Sequence, residues 1–258
     1  PFRVPDAHDD LYEKDWGTPN SRARFRASLA YADSAVARLY KGLSDLNLLD
    51  DTLFIITADH GEAFGEQHSR NFIHAEYCYE EDSRIFLLFH HPSFKGHAVT
   101  SDRMGSHVDF FPTLLDLLGW KRDDSLEGQS LLSEGFENRP VFRFSRRQLA
   151  VIDKDMKLIA QRDGLSKSLE LYSLRADPTE QRNLVDAQPA VVSSLNDRLM
   201  LWHREVEGLY RRRVRECGMS SGDVAKAVEK NRQTRFEATR ILFRSAGACF
   251  GNHRCASN

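Results

Sequence analysis

The sequence predicts an α/β layer followed by a small antiparallel sheet, and three observations carry that prediction. A long stretch with apolar residues at intervals of three and four runs into a short, unbroken apolar run of strand composition at 53–58. A second such run, 85–89, and a short apolar helix follow it, giving a helix, strand, loop, strand, helix order. From 141 onward the pattern changes to four short runs separated by polar turns. With 258 residues, 41% hydrophobic and 29% charged, the chain can bury a core and is not disordered as a whole.

Residues 1–20 are rich in Pro, Asp and Gly and read as an irregular lead-in. From Ser21, the residues Phe25, Leu29, Ala32, Val36, Leu39, Leu43 and Leu46 form one stripe of a helix, and 47–51 breaks the pattern. The run 53–58 is β-branched and predicts a strand buried on both faces, as in a parallel sheet. A polar loop runs from Asp59 to about His74, and 85–89 is a second buried strand. Residues 108–118 form a short helix, with Ser106 or His107 near its start and Gly119 as its stop. The runs 141–144, 149–152, 156–160 and 169–174 predict the antiparallel sheet. Pro189 opens a helix to 210 that carries Val192, Leu195, Leu199, Trp202 and Val206 on one side, and 223–244 is a further, highly charged helix. The expected organisation is an α/β part over 1–135, a small sheet with a helix over 136–210, and a basic helical tail over 211–258.

The net charge of −2 conceals an asymmetry. Residues 211–258 carry 11 Lys/Arg against 4 Asp/Glu, and the rest 25 against 34. A basic tail on an acidic body can touch a nucleic acid, a membrane surface or the body itself, but a solvated helix face is the plainer reading, and no nucleic-acid partner is expected. The cysteines Cys78, Cys217, Cys249 and Cys255 form neither a CxxC pair nor a disulfide framework, although Cys249 and Cys255 could close a small loop in an oxidising compartment. No run approaches the ~18 apolar residues of a membrane span. The chain opens on Pro1 with no signal-peptide pattern and reads as a piece of a longer polypeptide.

The chemistry concentrates in Thr57-Ala58-Asp59-His60-Gly61-Glu62-Ala63-Phe64-Gly65-Glu66. The strand delivers Asp59 and His60 at its carboxyl end, where open α/β sheets bind their ligands. Carboxylate suits hard cations and imidazole suits zinc, so the pair is a candidate for divalent metal. Gly61 permits a sharp turn and a close approach of backbone. Two donors do not complete a metal site, and the competing reading is a turn-capping Asp beside an exposed His.

Five blocks in order then resemble the sulfatase family of the alkaline phosphatase superfamily. Residues 43–65, which include Ala58-Asp59-His60-Gly61-Glu62, resemble its strand and Asp-His-Gly-Glu loop. His74-Ala75-Glu76-Tyr77-Cys78-Tyr79-Glu80-Glu81 resembles the segment that follows, and Ser106-His107-Val108-Asp109-Phe110-Phe111-Pro112-Thr113 its Pro-Thr helix. Gly128-Gln129-Ser130-Leu131 is similar to its next turn, and Glu170-Leu171-Tyr172-Ser173-Leu174 with Asp177-Pro178-Thr179-Glu180 to its ending. The resemblance covers about 25–210 and implies an alkaline-phosphatase-like sheet flanked by helices, of which this chain is the C-terminal part.

By that resemblance, Asp59 and His60 bind the active-site divalent metal, with calcium expected first and manganese or zinc as alternatives. His74 takes the place of a Lys or His that faces the transferred group, and is the catalytic candidate. His68 stays open between a role and none; His107 and Asp109 suit a helix start, and the Asp-Pro-x-Glu segment a turn closing the small sheet. The implied activity is hydrolysis of a small-molecule or glycan sulfate ester. Phosphodiester or phosphonate hydrolysis, phosphoethanolamine transfer, and a non-catalytic chain binding through its tail are the alternatives. A secretory, extracellular or membrane-attached setting follows if the parent resembles the family. The family's nucleophile sits in a C/S-x-P-x-R context that no residue here matches: Cys78 is followed by Tyr-Glu-Glu, Cys217 by Gly-Met-Ser, and Thr18-Pro19-Asn20-Ser21-Arg22 directly precedes the first helix. The chain alone is therefore expected not to turn over. Phe86 stands where the family has proline.

Overall fold

The computed structural model describes residues 22–94, 103–134, 136, 139–162, 168–216 and 222. The lead-in 1–20, the helix expected over 223–244 and the Cys249–Cys255 loop lie outside the described residues. The chain divides into two compact units, Pro1–Asn196 and Asp197–Asn258.

Helix α1, Arg22–Asp45, follows the predicted stripe. It ends where Asn47 adopts a left-handed φ of 57°. There the Leu48 N–H donates to Leu43 O (2.9 Å) and the Asn47 N–H to Ser44 O (3.0 Å), closing the last carbonyls of the helix. Ala27 is buried, while Leu29, Leu39 and Leu46 stay exposed.

Strand β1, Phe54–Thr57, pairs with β2, Leu87–His90, in a two-stranded sheet. The pairing is antiparallel, from Phe54 opposite His90 to Thr57 opposite Leu87, which corrects the parallel arrangement expected from the sequence. A continuous apolar run encodes a demand for cover on both faces, and it says nothing of strand direction. Nor is that demand met among the described residues: Ile55, Leu88 and the neighbouring Phe86 are 40%, 47% and 57% exposed.

Between these strands lies the loop 58–86, with a single helical turn, α2, Glu80–Ser83. After β2, a tight turn His107–Asp109 leads into α3, Phe110–Leu117. Gly119, at φ 65°, ends it.

The small sheet has the predicted form. Its strands β3 (Val141–Phe144), β4 (Gln148–Asp153), β5 (Met156–Gln161) and β6 (Leu169–Ser173) pair antiparallel in chain order. The two central strands are covered on both faces: Gln148, Leu149, Ala150 and Val151 of β4 and Lys157, Leu158, Ile159 and Ala160 of β5 are all buried. A fully buried Leu or Ile there contributes about 1.5–3 kcal/mol. Cys78, from the loop before α2, packs with Ala150, Ile159 and Tyr172, so the sheet is the floor on which that loop rests. Burial pushes the Cys78 thiol up, consistent with a core residue.

A buried charge network fastens the same contact. Lys157 Nζ lies 2.9 Å from Glu80 Oε1 and 2.8 Å from Glu180 Oε1, and Glu180 Oε2 accepts the Glu80 N–H at 2.6 Å. Burial raises the Glu180 carboxyl in spite of Lys157. The Asp-Pro-x-Glu segment is thus a turn, as expected, but one that bonds to α2. Helix α4, Pro189–Glu216, follows. No described helix is long and apolar enough to cross a membrane.

Candidate functional site

The end of β1 is fixed first. The Thr57 hydroxyl donates to Phe86 O (2.6 Å), and His107 Nε2, facing a carbonyl that only accepts, donates to Ala58 O (3.1 Å). His107 is the first residue of its turn, and Ser106 is the N-cap; the Asp109 carboxylate closes the box by accepting the Ser106 N–H at 2.7 Å. Buried Asp109 also accepts the Gln129 N–H (2.8 Å) and pairs with Arg139.

The chain then turns at Gly61, whose N–H donates to Asp82 O (3.0 Å). A Cβ at Gly61 would lie 2.2 Å from Glu81 O, so only glycine lets the loop lean on α2. That contact sets His60 and Glu62 on either side of the turn.

His60 Nδ1 lies 2.6 Å from Gly61 O and must donate to it. The ring's Nε2 is then the nitrogen that could ligate a metal, the arrangement usual for a metal-bound histidine. Asp59 Oδ2 lies 3.6 Å from that Nε2, while its Oδ1 accepts the His60 N–H (3.0 Å). The Asp59 side chain is 88% exposed, at the rim.

The Glu62 side chain is 8% exposed and holds His74 twice. Its Oε1 accepts the His74 backbone N–H (3.1 Å) and its Oε2 lies 2.8 Å from His74 Nδ1. His74 stacks on His60 with ring centroids 4.1 Å apart at 23°. Ligand atoms of His60, Glu62 and His74 all lie within 4.8 Å of one another. The structure therefore brings together two of the three residues read from the sequence, His60 and His74, with Asp59 beside them. It adds Glu62, which the sequence reading passed over; the signal was an acid two residues past His60 across a glycine. The donor set of two imidazoles and carboxylates fits a divalent cation, and fits zinc or manganese at least as well as calcium.

Ala75, directly after His74, has φ 69°, a strained value for a residue with a Cβ. Its carbonyl accepts the Arg146 N–H (2.8 Å), and that of Glu76 the Arg147 N–H (3.2 Å). Buried Glu76 pairs with Arg146 Nη1 (3.0 Å) and Arg147 Nε (2.7 Å). Burial opposes its charge, but the hydrogen bonds from Arg147 and Arg146 outweigh that and hold the carboxyl below its usual range.

Behind the loop, Asn71 Nδ2 donates to Glu81 Oε1 (2.7 Å) and Asp82 Oδ2 (3.2 Å). Burial pushes the Asp82 carboxyl up to about 6, with Glu81 and Glu62 adding to it and Asn71 and Arg143 opposing. His68 does not join the cluster. Its Nδ1 meets Glu81 Oε1 and its Nε2 meets Glu180 O, both at 3.2 Å, and its ring stacks on Tyr79 at 3.5 Å. Burial works against its charge, but Glu81 and the 180 turn raise its pKa overall.

Comparison with known proteins gives this geometry a frame. The family model described as Sulfatase matches residues 3–120. Arylsulfatase K of Bos taurus is 32% identical over 198 residues, covering 70% of this chain and 36% of that protein. The N-acetylglucosamine-6-O-sulfatase of Bacteroides thetaiotaomicron is 27% identical over 177 residues, covering 62% of this chain and 31% of that protein. The chain thus spans about a third of the length of these curated relatives. Among solved structures, a phosphonate monoester hydrolase of Agrobacterium radiobacter superposes with a TM-score of 0.58 at 25% identity, over 71% of this chain and 41% of that one. A complex with D-glucosamine-2-N,6-O-disulfate, at 24% identity and a TM-score of 0.52 over 72% of this chain and 40% of that one, shares the fold. The architecture is accordingly the alkaline-phosphatase-like one expected from the sequence. The loop that carries Asp59, His60 and His74 lies inside the stretch the family model matches, and the chain belongs to the sulfatase family.

Proposed function

We propose that this chain supplies the C-terminal part of the active site of a metal-dependent sulfuric ester hydrolase. In it Asp59 and His60 hold a divalent cation and His74 faces the transferred group. The observation that carries the reading is the paired fixation of two imidazoles: Gly61 O takes His60 Nδ1 and Glu62 takes His74 Nδ1, so both rings offer Nε2. The names of the relatives, an arylsulfatase and a glucosamine sulfatase, support sulfate over other esters. The substrate is a small-molecule or glycan sulfate ester.

The cation, when bound, supplies polarisation of the transferred group and charge balance for its oxygens. The chain's own residues do the rest that can be assigned here. His60 Nε2 and the Asp59 carboxylate serve as donors. Glu62 holds His74 in one orientation, from which Nε2 can hydrogen-bond a sulfate oxygen or pass a proton to the leaving oxygen. The attacking group is not assigned to any residue of this chain. A second reading, phosphonate or phosphodiester hydrolysis, is favoured by the similarity to the phosphonate monoester hydrolase and would use the same residues.

The test is a Mn²⁺ titration of the chain followed by broadening of its imidazole NMR signals, then addition of 4-nitrocatechol sulfate or 4-nitrophenyl phosphate. The expected result is early broadening at His60, weakened about tenfold or more by D59A or H60A, with H74A retaining metal but losing the sulfate-induced shift. A preferential response to the phosphate ester favours the second reading. If H74A weakens metal as much as H60A while D59A does not, the cation sits among His60, Glu62 and His74 and the Asp59 assignment fails. Absence of any metal effect at His60 overturns the proposal.

A further inference from the structure

The loop segment from Glu62 to His74 is closed on itself and pinned at its tip. Glu62 ties its two ends by accepting from the His74 backbone (3.1 Å). Between them Gly65, at φ 80°, leans on the Phe72 ring, which lies 2.4 Å from where a Cβ would be. The tip, 67–71, is held from outside. Gln67 O accepts from Gln181 Nε2 (3.2 Å), and Asn71 Nδ2 donates to Glu81 and Asp82 of α2. His68 is the centre of this tip: its carbonyl accepts the Asn71 N–H (2.8 Å), and its ring bridges α2 and the 180 turn.

Both ring nitrogens of His68 face groups that accept. Nε2 lies 3.2 Å from the Glu180 carbonyl oxygen, which has no hydrogen to give. Nδ1 lies 3.2 Å from Glu81 Oε1, and that oxygen already accepts from Asn71 Nδ2 at 2.7 Å. A neutral imidazole has one N–H and satisfies one of the two; the imidazolium satisfies both. The surroundings favour the charged form. The His68 and Glu81 side chains are 14% and 6% exposed, and Glu81 Oε2 is buried without a hydrogen-bond partner, so this carboxylate needs a cation beside it. The Tyr79 ring lies flat on His68, centroids 3.5 Å apart at 6°, and offers an aromatic face to the charge. Tyr79 itself stays neutral, because burial and Glu170 push its hydroxyl up. The Glu180 carboxylate is engaged by Lys157 and the Glu80 N–H, and its carbonyl is what His68 meets. Burial opposes the charge on His68, but Glu81 and Glu180 outweigh it.

We propose that His68 is a positively charged latch: as an imidazolium it ties the loop tip to both α2 and the 180 turn, and on losing its proton it releases one of them, so that the placement of His74 depends on pH. Deprotonation leaves the ring one N–H for two acceptors and leaves buried Glu81 facing a neutral partner. Losing a hydrogen bond to a charged group raises the opening of the tip about tenfold or more. His68 is then a positioning residue, which acts on His74 through the closed segment between them. The latch stands on the loop's own geometry; its consequence for an ester rests on the reading of His74 as a sulfate-ester site.

The experiment follows the full chain across pH by imidazole ¹⁵N NMR and by amide hydrogen exchange at Asn71. The expected result is that His68 carries hydrogen on both nitrogens at a pH where the histidines of the urea-unfolded chain are neutral. As His68 then loses its proton, exchange at Asn71, corrected for intrinsic base catalysis, rises about tenfold. The charge-balanced variant H68Q/E81Q, which avoids stranding a buried carboxylate, should exchange fast with no such step. Asp82, pushed up to about 6, also titrates in this network, so D82N is the control and should keep the step. The wild-type His68 signal decides the protonation without any variant. A neutral, single-tautomer His68 throughout, a step that survives in H68Q/E81Q, or one that vanishes in D82N overturns the latch. Added 4-nitrophenyl sulfate separates the latch from the reading it serves. Its effect on the His74 ring should weaken across the step in the wild type and not in H68Q/E81Q; the same pH course in both overturns the positioning role. A step at Asn71 with no His74 response at any pH leaves the latch standing and sinks the sulfate-ester reading. A His74 response with His68 neutral throughout does the reverse.

Discussion

Gly61 and Glu81 are in backbone contact so close that a Cβ on Gly61 would meet the Glu81 carbonyl oxygen at 2.2 Å. A backbone carbonyl in a helical turn cannot swing aside as a flexible side chain can. Gly61→Ala is therefore expected to push the Asp59–His60 segment off α2, at about 1–3 kcal/mol of stability. Thermal unfolding and the Mn²⁺ response at His60 read the two effects together. An unchanged melting temperature with intact metal response would show that the loop has slack the contact does not suggest.

Glu62 acts on His74 through both its backbone and its ring. Glu62→Ala is expected to release the Nδ1–H tautomer of His74 and separate its ring from His60. Imidazole ¹⁵N shifts report the tautomer directly. Losing an orienting partner of this kind lowers metal affinity or activity about 10- to 100-fold. Retention of the Nδ1–H signal in the variant would assign the orientation to some other group.

The pH dependence of stability follows from three groups shifted upward, Asp82, His68 and Glu180, opposed by Glu76. Asp82, pushed up to about 6, binds a proton in the folded state between roughly pH 4 and 6 that the unfolded chain has already released. Its contribution is therefore largest on the acid side and is lost as pH rises through about 6. His68 and Glu180, both raised, have the same sign, and what His68 adds is lost as pH rises past its folded pKa. Glu76, lowered by its arginines, has the opposite sign and is lost as pH falls below the ordinary carboxylate range. The chain is expected to be most stable at mildly acidic pH. Asp82→Asn should flatten the slope between pH 4 and 6 and add about 1–2 kcal/mol near pH 8, as read from urea midpoints. A slope that the variant leaves unchanged would place the titration elsewhere.

Lys157 is buried between Glu80 and Glu180. Lys157→Met leaves two carboxylates facing each other without a cation, which costs about 3–5 kcal/mol. The companion change Glu80→Gln with Glu180→Gln and Lys157→Met, which removes all three charges, should recover most of that loss in urea unfolding. Equal damage in both variants would show that Lys157 matters for its packing and not for its charge.

The small sheet was legible because β3 to β6 are short runs between polar turns, and such a pattern has few foldings. The end of α1 was legible as well, since the pattern breaks at Asn47. The direction of β1 against β2 was not, because an unbroken apolar run such as 53–58 encodes burial and leaves pairing open. Within the site, Asp59, His60 and His74 stood out through their pattern. Glu62 and Glu76 did not, since an acid in a polar loop looks like any solvated acid until the fold buries it. Lys157 was hidden in the same way: it sits in a strand position that alternation alone would assign to solvent. For such residues the third dimension supplies the partner, Glu180 for Lys157 and Arg147 for Glu76, and the partner is what gives them meaning.

The Glu180 turn and the first residue of α2 are 100 positions apart in the chain. Joined through Lys157, they behave as one heritable unit. A lineage that changes charge at 80, 157 or 180 alone passes through a destabilised intermediate, so accepted changes at these positions should arrive together. Because α2 is also what Gly61 leans on, the substitution history of a remote turn is expected to be coupled to that of the loop carrying His60 and His74, and the two should drift in step across related sequences.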